Sequence, residues 1–79
     1  MNLNLLFFGA TAEATASREL SLQIEDGANV SAAVDILVSR FPNLKGHRLL
    51  VAVNQEYVSG EALLKDGDEL AVFTPVSGG

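Results

Sequence analysis

Polar and hydrophobic positions alternate from Asn2 to Leu5 and then give way to an apolar run, Leu6-Phe7-Phe8. Leu3, Leu5 and Phe7 share one face of a strand and Leu6 and Phe8 the other. The pattern predicts a strand with one face in the core and a second that is partly covered or sticky near its end. Gly9 to Ser17 is small and polar, which suits a loop whose alanines permit a helical turn. Glu19 to Glu25 alternates without a fault and predicts a second strand, dry on one face and wet on the other. Paired with the first it forms a hairpin with a long connection, and Asp26-Gly27 signals the next turn. From Val30 the period changes: Val30, Ala33, Val34, Leu37, Val38 and Phe41 make one stripe of an amphipathic helix. Asn29 or Ser31 is placed to accept an orphan backbone N–H at its start. Arg40 sits at the negative end of the dipole, Pro42 stops the helix, and Phe41 is expected to plug the core there.

Asn43 to His47 reads as a connection. Leu49 to Val53 is continuously apolar, as expected for a strand buried on both sides or central in a sheet. Asn54-Gln55 is a turn, Tyr57-Val58 a brief edge pairing, and Ser59-Gly60 a break. Lys65-Asp66-Gly67-Asp68 is a tight turn in which Gly67 supplies φ > 0. Glu69 to Phe73 is the last strand and runs directly into Thr74–Gly79. One helix is thus available to cover one mixed sheet. That is an α+β layer arrangement, with the element order of the β-grasp fold and a single domain over residues 1–79.

Composition narrows the chemistry. None of the 79 residues is cysteine, so there is no disulfide framework, thiolate metal site or cysteine nucleophile, and a reducing compartment fits. Ten acidic residues against five basic ones give a formal charge of −5, which argues against nucleic acid as a partner. No run approaches the ~20 apolar residues of a membrane span. Leu5 to Phe8 is too short for a signal-peptide core and no basic residue precedes it, so the expected location is cytoplasmic, without membrane contact.

Side-chain catalysis finds little to work with. His47, between Gly46 and Arg48, lacks the partners a general base or metal ligand needs. Asp66 and Asp68 flank a turn glycine, and turn chemistry accounts for them. Gly46, Gly60 and Gly67 are isolated and form no phosphate-cradling loop; no metal site is expected. Phe8, Tyr57 and Phe73 are large apolar groups that, on an uncovered sheet face, would form a patch of the kind that marks protein contacts; the competing reading puts some of them in the core. At the C-terminus, Pro75 fixes its own φ and biases Thr74 toward an extended conformation. Six extended residues, Thr74 to Gly79, span roughly 20 Å. Gly78-Gly79 ends them in a carboxylate with no side-chain bulk beside it, a shape suited to chemistry inside a narrow pocket. Small-residue tails also end many domains without consequence.

Three stretches carry a resemblance: Leu5-Leu6-Phe7-Phe8-Gly9, Leu49 to Gln55, and above all the block from Leu64 to Gly79 with its Asp-Gly-Asp-Glu turn, strand and Pro-Val-Ser-Gly-Gly ending. In these the chain resembles the small subunits of molybdopterin synthase, a family of ubiquitin-like sulfur carriers, over its full length. Thr74-Pro75 departs from the two prolines that many relatives carry before the valine, which bears on tail stiffness alone. The resemblance implies that Gly79 is adenylated by an activating enzyme that uses ATP, converted to a thiocarboxylate by a persulfide-type sulfur donor, and used to deliver sulfur to cyclic pyranopterin monophosphate. It implies a tail of Pro75, Val76, Ser77 and Gly78 threaded into the large synthase subunit, with Phe8, Tyr57 and Phe73 as the docking patch. The family's usual assembly is a heterotetramer in which this subunit is not itself catalytic and binds no cofactor. Two alternatives stay open: a sister carrier for thiamine thiazole synthesis or another thiolation pathway, and a passive β-grasp interaction module.

Overall fold

The computed structural model describes residues 1–75. Its elements follow the order β1 (Asn2–Phe7), α1 (Ala10–Thr15), β2 (Glu19–Gln23), α2 (Val30–Arg40), a 3-10 turn (Pro42–Leu44), β3 (Leu50–Val53), β4 (Glu56–Tyr57) and β5 (Glu69–Phe73). The five strands form one sheet in the order β2-β1-β5-β3-β4. β1 and β5 run parallel side by side, with Leu5 opposite Leu70 and Phe7 opposite Val72; the other pairings are antiparallel. The expected α+β, β-grasp sheet with one main helix across one face is present.

Alternation decides which face is closed. Leu3, Leu5 and Phe7 of β1, Leu22 of β2, Val51 of β3, and Leu70 and Val72 of β5 are all buried, and they meet Val30, Ala33 and Leu37 of α2. Asn29 caps this helix: its side-chain oxygen accepts the Ala32 N–H at 2.9 Å, satisfying a donor left over at the helix start. Phe41, at the other end, meets Phe7 edge-on with ring centroids 6.5 Å apart, so it closes the core where expected.

Three features differ from the sequence reading. The segment after β1 forms a true helix, α1, so α2 is not the only cover. Its six residues carry no apolar stripe; instead Thr11 and Thr15 are buried. Thr15 donates its hydroxyl to the Thr11 carbonyl at 2.9 Å, a local bond that a buried threonine can make without a hydrophobic face. The connection after α2 contains a 3-10 turn that buries Leu44 to 1% exposure and lies against α1. Finally, β5 rather than β3 is the central strand. The middle of β3's apolar run is nevertheless buried on both sides, Val51 at 8% and Ala52 at 9% exposure. Leu50 and Ala52, opposite Phe73 and Ala71, belong to the face turned away from α2.

Turns meet the expected chemistry. Gly67 has φ +85°, and the two aspartates beside it are hydrogen-bond acceptors that fasten distant strands. Asp66 accepts the Asn2 N–H at 2.6 Å. Asp68 accepts the Lys65 N–H at 2.7 Å and the Asn54 side-chain amide at 2.9 Å. Their role is structural.

Candidate functional site at the exit of the central strand

The open face of the sheet is graded from polar to apolar. At the end where β1 begins it carries Asn2, Asn4, Ser21, Gln23 and Glu69. At the end where β5 finishes it carries Leu6, Ala71, Leu50 and Ala52, followed by the three aromatic residues singled out in the sequence. Phe73 is half-buried; Tyr57 packs against it edge-to-face with centroids 5.8 Å apart. Phe8 lies on the other flank and shares a hollow with Gly9, Phe73 and Thr74. Phe8 is 52% exposed and Tyr57 78%, so the competing assignment of these two to the core is excluded. All three belong to one surface.

A buried hydroxyl fixes this corner. Beyond Phe7 the chain leaves the sheet through Gly9, at φ +56°, so β1 has no further residue to pair with β5. The Thr11 hydroxyl, 1% exposed, takes over. It lies 2.7 Å from the Val72 carbonyl and 2.9 Å from the Phe8 carbonyl, and accepts the Phe8 N–H at 3.0 Å. One side chain thereby ties together the backbone at Phe8 and the residue before Phe73. The bond to the Val72 carbonyl is buried, and buried backbone acceptors are as a rule paired. Nothing in the sequence distinguished Thr11 from the other small polar residues around it.

Thr74 follows β5 half-buried, and Pro75 is exposed. Val76, Ser77, Gly78 and Gly79 lie outside the described residues. His47 is exposed, and among the described residues no group of three or more metal-ligating side chains exists. No helix of the described residues is long and apolar enough to cross a membrane.

A second hollow of about 390 Å³ separates α2 from β3 and β4, lined by Val30, Val34, Leu49, Tyr57 and Val58 among others. It is apolar, carries a single ionisable group besides Tyr57, Asp35, and offers no arrangement for bond chemistry.

Comparison with known proteins bears on this geometry. The profile of the ThiS family matches residues 5–79. The chain is 37% identical over 83 residues to the molybdopterin synthase sulfur carrier subunit of Mycobacterium tuberculosis, covering 100% of this chain and 99% of that one. Among solved structures, SAMP1 from Haloferax volcanii is 30% identical with a TM-score of 0.88 and full coverage of both chains. A putative molybdopterin converting factor subunit 1 from Pyrococcus furiosus is 26% identical with a TM-score of 0.91, covering 96% of this chain and 99% of that one.

Proposed function

The chain belongs to the ThiS family, and from that premise we propose that it is the sulfur carrier subunit of a molybdopterin synthase, with Gly79 as the residue that carries the sulfur. The observation that supports this most is one of position. The apolar surface formed by Phe8, Phe73 and Tyr57 surrounds the point at which a cysteine-free chain leaves its central strand toward Gly78-Gly79.

The chemistry follows from what a carboxylate can do. It resists nucleophiles because it lacks a good leaving group. An activating enzyme overcomes this when a Gly79 carboxylate oxygen attacks the α-phosphorus of ATP: pyrophosphate leaves and an acyl-adenylate forms. The terminal sulfur of a donor persulfide then attacks the acyl carbon, and AMP departs with the bonding pair. A thiol cleaves the resulting acyl disulfide, forming a disulfide with the donor sulfur and leaving Gly79 as a thiocarboxylate. Its sulfur is a soft nucleophile at neutral pH and fills the role that a cysteine thiolate fills elsewhere. In the large subunit the thiocarboxylate sulfur adds to an oxygen-bearing electrophilic carbon of cyclic pyranopterin monophosphate, and that oxygen is protonated and leaves as water. A second water then attacks the acyl carbon, breaking the acyl–sulfur bond so that the sulfur stays on the pterin and the Gly79 carboxylate is restored.

The rest of the chain holds and aims that terminus. Phe8, Tyr57 and Phe73 form the docking patch for the large subunit, and Pro75, Val76, Ser77 and Gly78 make the segment that enters its pocket. Glycine at the last two positions lets the backbone pass where a Cβ would collide. The full-length likeness to SAMP1, small archaeal modifier protein 1 by its full name, favours a second reading, protein modification, that shares the adenylate. In it an amine of another protein replaces the persulfide and the product is an amide.

Deleting Gly79 tests the proposal. The truncated chain is expected to fold and to melt as the full chain does, yet to support no molybdopterin formation in a reconstituted assay with activating enzyme, ATP, persulfide donor and large subunit. Molybdopterin formed by the truncated chain would end the carrier reading. Amide conjugates formed by the full chain in place of a thiocarboxylate would select the second one.

A further inference from the structure

Charge is distributed along this molecule as unevenly as hydrophobicity. Four of its five basic residues, Arg18, Arg40, Lys45 and Arg48, belong to the end at which β5 finishes. The Arg18 carbonyl accepts the Phe7 N–H at 2.9 Å, and Arg18 and Phe8 line one hollow. Arg40 ends α2 and its guanidinium lies 5.6 Å from the ring centroid of Phe41, which in turn meets Phe7. Lys45 and Arg48 occupy the loop that enters β3, Arg48 standing two residues before Leu50, the register partner of Phe73. All four are exposed. From Ile36 to Gln55 the chain contains no Asp or Glu.

Glu13 and Glu19 stand at this end beside Arg18. Asp35 lines the hollow that α2 shares with Leu49 and Leu50, Glu56 is level with Leu70 through Val53, and Glu61 lies beside the start of α2. At the opposite end stand Glu25, Asp26, Asp66, Asp68 and Glu69, with Lys65 among them. Glu69 and Phe73 are the two ends of one strand, roughly 13 Å apart at ~3.3 Å per residue. That exceeds the screening length of about 8 Å at physiological ionic strength. A partner approaching the Phe73 end therefore meets the local cations, although the whole chain carries −5.

We propose that Arg18, Arg40, Lys45 and Arg48 form a basic collar around the root of the C-terminal tail, and that it docks on acidic side chains rimming the tail-accepting pocket of the large synthase subunit. This rests on the carrier reading given above. The four residues after Pro75 reach at most about 14 Å, so the collar stands against the partner's surface while Gly79 is in the pocket. The pocket itself receives a phosphate-bearing pterin and so favours cationic walls. A carrier with a basic front needs an acidic rim outside them. Such complementarity acts on the rate of encounter and on orientation more than on the lifetime of the complex. It turns the tail toward the partner before the aromatic patch makes contact.

The test is stopped-flow association of the full chain with the large subunit of the same organism, at low and high salt. For the wild-type chain the on-rate is expected to fall as salt rises. The charge-reversed pair K45E/R48E is expected to associate at least about tenfold more slowly at low salt, to lose most of its salt dependence, and to dissociate within about twofold of wild type. The neutral pair K45Q/R48Q is expected to shift in the same direction by less, which guards against a folding defect caused by added acid. E25K, at the far end, is expected to leave the on-rate unchanged or raise it. An undiminished on-rate in K45E/R48E at low salt, with binding and sulfur transfer intact, would overturn the collar and leave the carrier reading standing. Failure of the wild-type chain to bind the large subunit at all would overturn both.

Discussion

The two faces of the sheet are built from the same strands and differ in what they are for. On the closed face, Leu3, Leu5, Leu70 and Val72 are at most 2% exposed and are matched by α2, α1 and the 3-10 turn. On the open face, the same strands present Leu6, Phe8, Ala71 and Phe73, which are half-buried or exposed, with Leu50 and Ala52 of β3 beside them and β4's Tyr57 against Phe73. Burial on the closed face stabilises the fold. On the open face an equally apolar set has been left in contact with water, at the place where the chain departs for its terminus. A small domain with few apolar residues to spare keeps such a surface uncovered at a cost in solubility, and a partner that covers it recovers the apolar contribution on binding.

Substitutions can break this contrast in graded steps. Leu37, fully buried under the sheet, is the closed face's test. Leu37→Ala is expected to cost about 2–5 kcal/mol of unfolding free energy, a large share of the roughly 5–15 kcal/mol of a typical domain, read by urea denaturation. Phe73→Asp probes the open face. Binding to the large subunit is expected to weaken by about 2 kcal/mol or more, as for a central aromatic anchor, while the thermal midpoint falls far less than in Leu37→Ala. A Phe73→Asp chain that loses as much stability as Leu37→Ala would erase the distinction between the faces. Thr11→Val, at the junction, removes the hydroxyl shared by Phe8 and Val72 and is expected to cost about 1–3 kcal/mol. Thr11→Ser should restore most of it, since serine keeps the hydrogen bonds. Equal losses in both variants would assign the effect to packing.

The strands were legible because their periods are clean. β5 lies at Glu69–Phe73 as the pattern predicts, and the division of β1 into Leu3, Leu5 and Phe7 against Leu6 and Phe8 holds residue by residue. α2 was legible through its stripe and its Asn29 cap. What escaped reading had no periodic signal. α1 is six residues held by threonine hydroxyls, and Leu44 is one apolar residue in a polar connection. The apolar run of β3 is buried on both sides at Val51 and Ala52, but such a run does not tell an interior strand from the central one, which is β5. The site shows the same division. Phe8, Tyr57 and Phe73 stood out by size in the sequence, whereas Thr11, which ties the backbone at Phe8 to Val72, did so only once Val72 was brought beside it. The basic collar likewise needed the antiparallel register of β3 and β5 to bring Arg48 near Phe73.

The central claim is that Gly79 carries the sulfur and that the domain presents it. Intact-mass measurement of the full chain after incubation with its activating enzyme, ATP and a persulfide donor tests that most directly. The account predicts that the mass rises by the difference between one sulfur and one oxygen atom, that the gain maps to the C-terminal peptide, and that it is lost when the large subunit and the pterin precursor are added. An unchanged mass, or a gain located on any other residue, would contradict it.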